Sequence, residues 1–447
     1  MRISSIISEY NPFHEGHKYH MENTKKITNS NYTIVVMSGD FTQRGTPAII
    51  DKYARTKQAL FCGADLVLEL PVGFATASAE GFAFGAVSIL DKLGVVDSLV
   101  FGSESGDINC IKKVADFLAD EPLEYKERLQ LLLKQGLSFP AARANALKEF
   151  FSDLDEGFLS SSNNILGIEY CKALKHFNSS IVPMTITRKD NLYHDEELAG
   201  TGKLSSATAI RKILLQKEPP CTSTSYPDLS SVSPNAPFNI LDCHIPENSL
   251  NVLKENWGIS APVSSIDFSL LLKYKLLLET RESLVKYLDV TSDLADRIYN
   301  NLNSYKDFDS FCELLKTKEL TYTRISRSLL HILLDIKKED YELYQKGISS
   351  KEYAFDKIID SKINKDYGQY ARILGFRKES SALLHEIKKN SSIPLISKVS
   401  DSVKELDGVA LSMLEKDIQA AHIYESVVAD KYRYAFINEF QRQLVIV

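Results

Sequence analysis

Three of the nine histidines in this 447-residue chain fall within SEYNPFHEGHKYH (residues 8–20), directly after an apolar run. His14 and His17 bracket Gly16 and, three positions apart, share one face of any helix that begins there. Free backbone amides at a helix start, with the positive end of its dipole, attract phosphate, and Gly16 lets phosphate oxygens approach the main chain. Both imidazoles can then donate hydrogen bonds to one phosphate group. That arrangement suits nucleotidyl transfer. When a carboxylate attacks the α-phosphate of ATP, charge builds on the equatorial oxygens and on the departing pyrophosphate, and fixed donors stabilise it without a protein nucleophile.

Two other uses of these histidines stand beside that one. A metal cluster of His14, His17 and His20 is disfavoured because zinc helices carry His-Glu-x-x-His, which is missing. Plain capping and packing of a helix start is the structural alternative, and His20 in particular could do no more than that. Neither a Walker A sequence nor Gly-x-Gly-x-x-Gly follows the first apolar run, so kinase-type and dinucleotide sites lose support.

The elements needed to position the motif are legible as alternating strands and helices. RISSIIS (2–8), YTIVVMS (32–38), ADLVLELP (64–71), VDSLVFG (96–102) and SIVPMTITR (180–188) are short apolar runs. Amphipathic or small-residue segments such as DKYARTKQALFCG (51–63) and SAEGFAFGAVSILDKLG (78–94) lie between them. This pattern predicts an α/β, Rossmann-like doubly wound parallel sheet, with ligands held beyond the carboxyl ends of its strands. LSSATAIRKILLQ (204–216) begins with capping serines and completes a first domain over residues 1–216. Residues 217–250 open with a Pro/Ser/Thr-rich stretch that reads as a linker, and 251–447 carry helical periodicity, predicting a second, mainly helical domain.

Bulk composition agrees with two or three globular domains: 44% hydrophobic, 25% charged, no apolar run long enough to span a bilayer. No membrane partner is expected, and the start lacks a signal peptide, so a cytoplasmic location is expected. Six scattered cysteines without a Cys-x-x-Cys pair fit reduced thiols. A net charge of −6 argues against indiscriminate coating of nucleic acid, and no DNA partner is expected; oligomeric state stays open.

A strand followed by His-x-Gly-His, with a later SSATAIR (205–211) at a helix start, resembles the nucleotidyltransferase superfamily of adenylyltransferases and class I aminoacyl-tRNA synthetases. In order, SEYNPFHEGHKYH, VVMSGDFTQRGTPAIIDKYART, GADLVLELP, FGSESGD, NNILGIEY and SSATAIRK resemble the bacterial tRNA(Met) cytidine acetate ligase family. The resemblance implies a ligase forming a carbon–nitrogen bond in two steps. Acetate and ATP give acetyl-adenylate and pyrophosphate, and the acetyl group then passes to N4 of the wobble cytidine, C34, of elongator tRNA(Met). It implies an ATP site on Ile7, Ser8, Glu9, Tyr10, Asn11, Pro12, Phe13, His14, Glu15, Gly16, His17, Lys18, Tyr19 and His20, and on Gly102, Asn163 and Arg188. Ser205, Ser206 and Arg211 would join His14 and His17 on the triphosphate, with Thr208 nearby. Physically, Gly102 is also a plain turn glycine, Ser205 and Ser206 plain caps, Arg188 a plain surface arginine, and Asn164 rivals Asn163. Mg2+ is expected with ATP, its ligands largely substrate phosphates.

Ser38, Gly39 and Asp40 follow the second run and could line the acetate or cytidine site, with Gln43 and Arg44 towards tRNA; Ser-Gly-Asp is equally a plain turn. Glu69 in VLELP is either an electrostatic organiser or a satisfied buried carboxylate. Basic residues beside aromatics, Tyr322, Arg324 and Arg327, then Arg372, Arg377 and Lys378, suit phosphate binding and stacking on an unpaired anticodon loop. Each run alone is equally a solvated helix face. A nucleotidyltransferase adenylating a small cofactor precursor, and an RNA-binding protein with a vestigial pocket, are the alternatives in function.

Overall fold

The computed structural model describes residues 1–137, 139–152, 154, 157–188, 205–216, 238–346 and 367–447. The five apolar runs form the strands β1 (Ile3–Ser8), β2 (Tyr32–Ser38), β3 (Leu66–Leu70), β4 (Ser98–Ser103) and β5 (Val182–Thr187). They lie parallel in the order β3-β2-β1-β4-β5. Strand periodicity sends alternate residues to opposite faces. Ile3, Ile7, Ile34, Val36 and Leu68 enter one core with Phe82 and Ile89 of the helix Ala79–Lys92. Ile6, Val35, Met37 and Val67 enter another with Met21 of α1 (Glu15–Thr28) and Ala59 and Leu60 of α2 (Lys52–Phe61). The sheet is therefore covered on both faces, as the runs predict. Strand order reverses between β1 and β4, which makes the carboxyl ends of those strands the crevice of the fold.

Residues 251–447 do not stay helical throughout. Helices run from Glu247 to Lys346, but β6 (Ala371–Phe376), β7 (Leu395–Ile396) and β8 (Val445–Ile446) return to the sheet. β6 pairs antiparallel with β3, and β7 and β8 pair with β6. The expected linker is also only partly comparable, since 217–237 lie outside the described residues. Its remainder is packed: Phe238, Leu241, Ile245 and Leu250 share a core with Ile49, Ile50, Ile210 and Leu214. A 25-residue helix, Gly408–Tyr432, joins the two larger cores. Met413, Leu414 and Ile418 belong to the sheet core, whereas Ala420, Tyr424 and Val428 belong to the core of the helical region.

The return of β6 depends on charge compensation. Arg372 stands opposite Glu69 on β3 and is 2% exposed, with Nη1 2.9 Å from Glu69 Oε2 and Nη2 2.6 Å from Glu439 Oε1. Lys52 Nζ completes the cluster at 2.8 Å from Glu69 and 2.6 Å from Glu439. Of its two alternatives Glu69 is thus closer to the second, a buried carboxylate paired with Lys52 and Arg372. Buried charges survive only when paired, so removing one member strands the others. Glu439→Ala should cost about 3–5 kcal/mol of unfolding free energy, read by urea denaturation. A loss under about 1 kcal/mol would show that this cluster does not hold the C-terminal segment to the sheet.

Candidate active site

At the reversal of strand order lies a cavity of about 230 Å3, lined from the carboxyl ends of β1, β4 and β5, the start of α1, the helix Ala207–Leu215, and the loop after β2. His14 is the residue before α1, with extended backbone (φ −138°, ψ 175°), and its Nδ1 accepts the Gly16 N–H at 3.0 Å. His17 Nδ1 accepts the His14 N–H at 3.3 Å, closing a reciprocal cap. Both lone pairs on Nδ1 are therefore committed, and a neutral ring must carry its proton on Nε2. The rings stack with centroids 3.8 Å apart and 28° between planes, and both residues line the cavity. Gly16 has a reason beyond ligand access: a Cβ there would sit 2.8 Å from His14 Cε1 and displace the ring.

These histidines are neutral. Burial lowers His14 to about 3, helped by the positive charges of Arg188 and Arg211. His17 is held well below its ordinary value by burial, then by His14 and Arg188. His20 drops to about 4 through burial and Arg188, and its Nε2 is buried without a hydrogen-bond partner among the described residues. Positive charge comes instead from the arginines. Arg211 is aimed by donating Nη1 to the Asn11 carbonyl at 2.7 Å and Nη2 to Thr208 Oγ1 at 3.2 Å. Ser206 caps its helix by accepting the Ala209 N–H at 3.1 Å, and Ser205 Oγ lies 3.0 Å from His244 Nδ1. The preceding β5 leads into Arg188, against whose side chain a Cβ on Gly102 would make ordinary contact at 3.4 Å. Two helix N-termini, neutral imidazole donors and two guanidinium groups thus face one space, a set of groups suited to a polyphosphate.

Most of the expected residues converge here. Ile7, Ser8, Glu9, Tyr10, Asn11, His14, Gly16, His17, Tyr19, His20, Gly102, Asn163, Arg188, Ser205, Ser206 and Arg211 line the cavity, as do Gln43, Arg44 and Thr208. Asn163 faces it and donates Nδ2 to Glu104 at 2.7 Å. Asn164 is spent on structure, accepting the N–H groups of Glu104 and Ser105 and donating to the Phe158 carbonyl.

Others lie elsewhere. Pro12, Phe13, Glu15 and Lys18 are off the cavity wall: Phe13 is fully buried, and Glu15 and Lys18 form an outer pair 3.8 Å apart. Ser38, Gly39 and Asp40, expected at a substrate site, are buried beneath it. Asp40 accepts the Lys52 N–H at 2.8 Å, a Cβ on Gly39 would strike Glu69, and Ser38 is sealed from solvent. Arg372 is buried in the ion cluster and cannot meet RNA. Arg377 and Lys378 follow β6, whose end pairs with the start of β3, so they sit at the opposite edge of the sheet. About 16 Å, the length of five-residue β3, separates that edge from the crevice. Tyr322, Arg324 and Arg327 begin the helix Tyr322–Leu333, against which the loop carrying Arg44 rests: Ser326 Oγ donates to the Gly45 carbonyl at 2.9 Å. Arg327 itself pairs with Asp289 at 3.0 Å.

Arg55 is the residue sequence reasoning missed. It is 0% exposed and donates to the carbonyls of Ile50, Glu9, Ser38 and Gly39, tying together the loops after β1 and β2. His244 was missed too: its carbonyl accepts the Glu15 N–H at 2.9 Å, so the packed end of the expected linker braces the start of α1. Among the described residues no group of three or more His, Cys, Asp or Glu is placed to hold a metal ion, and no helix is long and apolar enough to cross a membrane.

The fold and cavity define a nucleotidyl transferase, and residues 1–438 match the family model described as HIGH Nucleotidyl Transferase. The tRNA(Met) cytidine acetate ligase of Acetivibrio thermocellus is 39% identical over 100% of both chains, and that of Clostridium perfringens strain SM101 is 41% identical over 95% of both. The crystal structure of Thermotoga maritima TmcAL without ligand is 32% identical and superposes with a TM-score of 0.86 over 100% of both chains. That protein bound with alpha-thio ATP superposes at 0.83, again over 100% of both. The chain belongs to the tRNA(Met) cytidine acetate ligase family of HIGH nucleotidyl transferases.

The neutral histidines give the fold a pH signature. His20 has a folded value near 4, below the ordinary 6.5, so the unfolded chain takes up its proton first as pH falls. The stability linked to it is complete above about pH 6.5 and is lost as pH drops towards 4. Wild-type protein should be less stable at pH 5 than at pH 7 in urea unfolding, and His20→Gln should narrow the gap. An unchanged gap would mean that His20 titrates normally in the folded state.

Proposed function

We propose that this protein is an ATP-dependent ligase that activates acetate as acetyl-adenylate and transfers the acetyl group to N4 of C34 in elongator tRNA(Met), giving N4-acetylcytidine. The observation that carries this reading is the stacked pair of neutral imidazoles lining one cavity with Arg188 and Arg211, in a chain whose full-length relatives bear that name. In the first step the acetate oxygen attacks the α-phosphate. His14 and His17 donate to its equatorial oxygens as charge grows, while Arg188, Arg211 and the Ser206 helix start take the charge of leaving pyrophosphate. Neutral donors suit this work, since they hold no proton that must be lost near pH 7 and their geometry is set before substrate arrives.

Asn163 and Gly102 hold the nucleoside side, and Mg2+ would be held largely by the phosphates of ATP. Arg44, on a loop stiffened by Thr42 accepting from Gly45 and donating to Thr46, faces the acyl and tRNA side. The tRNA platform begins on the helix that supports this loop, at Tyr322 and Arg324. A tRNA substrate places the protein in the cytoplasm.

ATP–pyrophosphate exchange across a panel of carboxylates tests the reading: exchange should require acetate. Exchange without any carboxylate, or none with acetate and tRNA present, would remove it. Arg324→Ala should weaken tRNA binding severalfold and lower the salt slope by about 1 while sparing exchange. Arg377→Ala, at the far edge, should have the smaller effect; the reverse order would move the platform.

A further inference from the structure

Glu9 is the one carboxylate among the described residues lining the cavity, whose other charged walls are Arg44, Arg188 and Arg211. It directly follows β1, between the β4–β5 side that carries Gly102 and Arg188 and the β2 side that carries the loop of Arg44. Its place is held twice. The main-chain carbonyl accepts Arg55 Nη1 at 2.6 Å, and side-chain Oε1 accepts the Gln43 N–H at 2.7 Å. Oε2 has no hydrogen-bond partner among the described residues.

A carboxylate at this point repels a triphosphate, so the phosphates of ATP give no reason for it. An exocyclic amino group does. The N4 amino group of cytosine is a donor, and Glu or Asp is its matching acceptor. Resting on the function proposed above, we propose that Glu9 accepts the N4 hydrogen of the target cytosine and acts as the general base of acetyl transfer.

In that step the N4 lone pair attacks the acetyl carbonyl carbon and the carbon–nitrogen bond forms. The bond from that carbon to the phosphate oxygen breaks, its electron pair leaving with AMP. N4 gives up one proton to Glu9 Oε2, and the resulting carboxylic acid returns it to water once product departs. A preformed base is useful because the amino group of cytosine is a weak nucleophile while its lone pair is shared with the ring.

The test measures two rates on the full-length protein: acetate-dependent ATP–pyrophosphate exchange, and single-turnover transfer of labelled acetyl to tRNA. Glu9→Gln retains a carbonyl acceptor for the Gln43 N–H but no base. Transfer should fall by about 10²–10⁴-fold, while exchange falls by less than about tenfold; Glu9→Asp should recover part of the transfer rate. Transfer within about fivefold of wild type would overturn the role, as would equal losses in both rates, which would place Glu9 on the ATP–Mg2+ side. Wild-type protein without acetate-dependent exchange overturns the functional reading and this role together. Normal wild-type exchange with unaffected variant transfer overturns the role alone.

Discussion

Two backbone N–H groups decide the character of the site. Those of Gly16 and His14 occupy the Nδ1 atoms of His14 and His17, so each of these two cavity-lining imidazoles keeps its proton on Nε2. Burial and nearby arginines hold the rings neutral, and the 3.8 Å stack leaves them little freedom to turn. A helix cap, ordinarily a device for satisfying orphan amides, here sets tautomer, charge and direction of two donors together. Everything that fixes the start of α1 therefore fixes the chemistry. The missing side chain of Gly16, the His244 carbonyl on Glu15 N–H and the Ser249 hydroxyl on the Phe13 carbonyl all serve that end.

Beneath this layer, buried cations organise the crevice by binding carbonyls and carboxylates of the protein itself. Arg55 gathers the chain after β1 and β2, and Lys52 with Arg372 draws Glu69 and Glu439 into one cluster. A residue near the C-terminus is thereby coupled to the loop that carries Arg44. The long helix Gly408–Tyr432 adds a second coupling, since its two halves belong to different cores. Relative motion of the helical region and the sheet would have to break packed apolar contacts along that helix, which ties any tRNA platform rigidly to the crevice.

Much of this was legible in the residues. Parallel strands buried on both faces need continuous apolar runs, so β1 to β5 announced themselves, and the strand-to-helix turn at His14 fell where an α/β sheet binds ligands. What stayed hidden depended on partners distant in sequence. ARILGF is a strand because Arg372 meets Glu69 across the sheet, and nothing local to either segment tells of the other. Ser38, Gly39 and Asp40 look like an exposed turn until Lys52 and Glu69 close over them. Arg55 reads as one more helix cation, whereas its work is to bind four carbonyls from inside. Asn163 and Asn164 were inseparable by type, and only the direction of each side chain sorts ligand wall from loop support.

His14 and His17 are neutral Nε2–H donors at physiological pH. Nitrogen-15 chemical shifts of the histidine rings in the full-length protein, recorded from pH 5 to pH 8, report tautomer and charge directly. Both rings should show protonated Nε2 and bare Nδ1 across that range, unchanged by pH. Titration of either ring near its ordinary value of 6.5, or a proton on Nδ1, would contradict it.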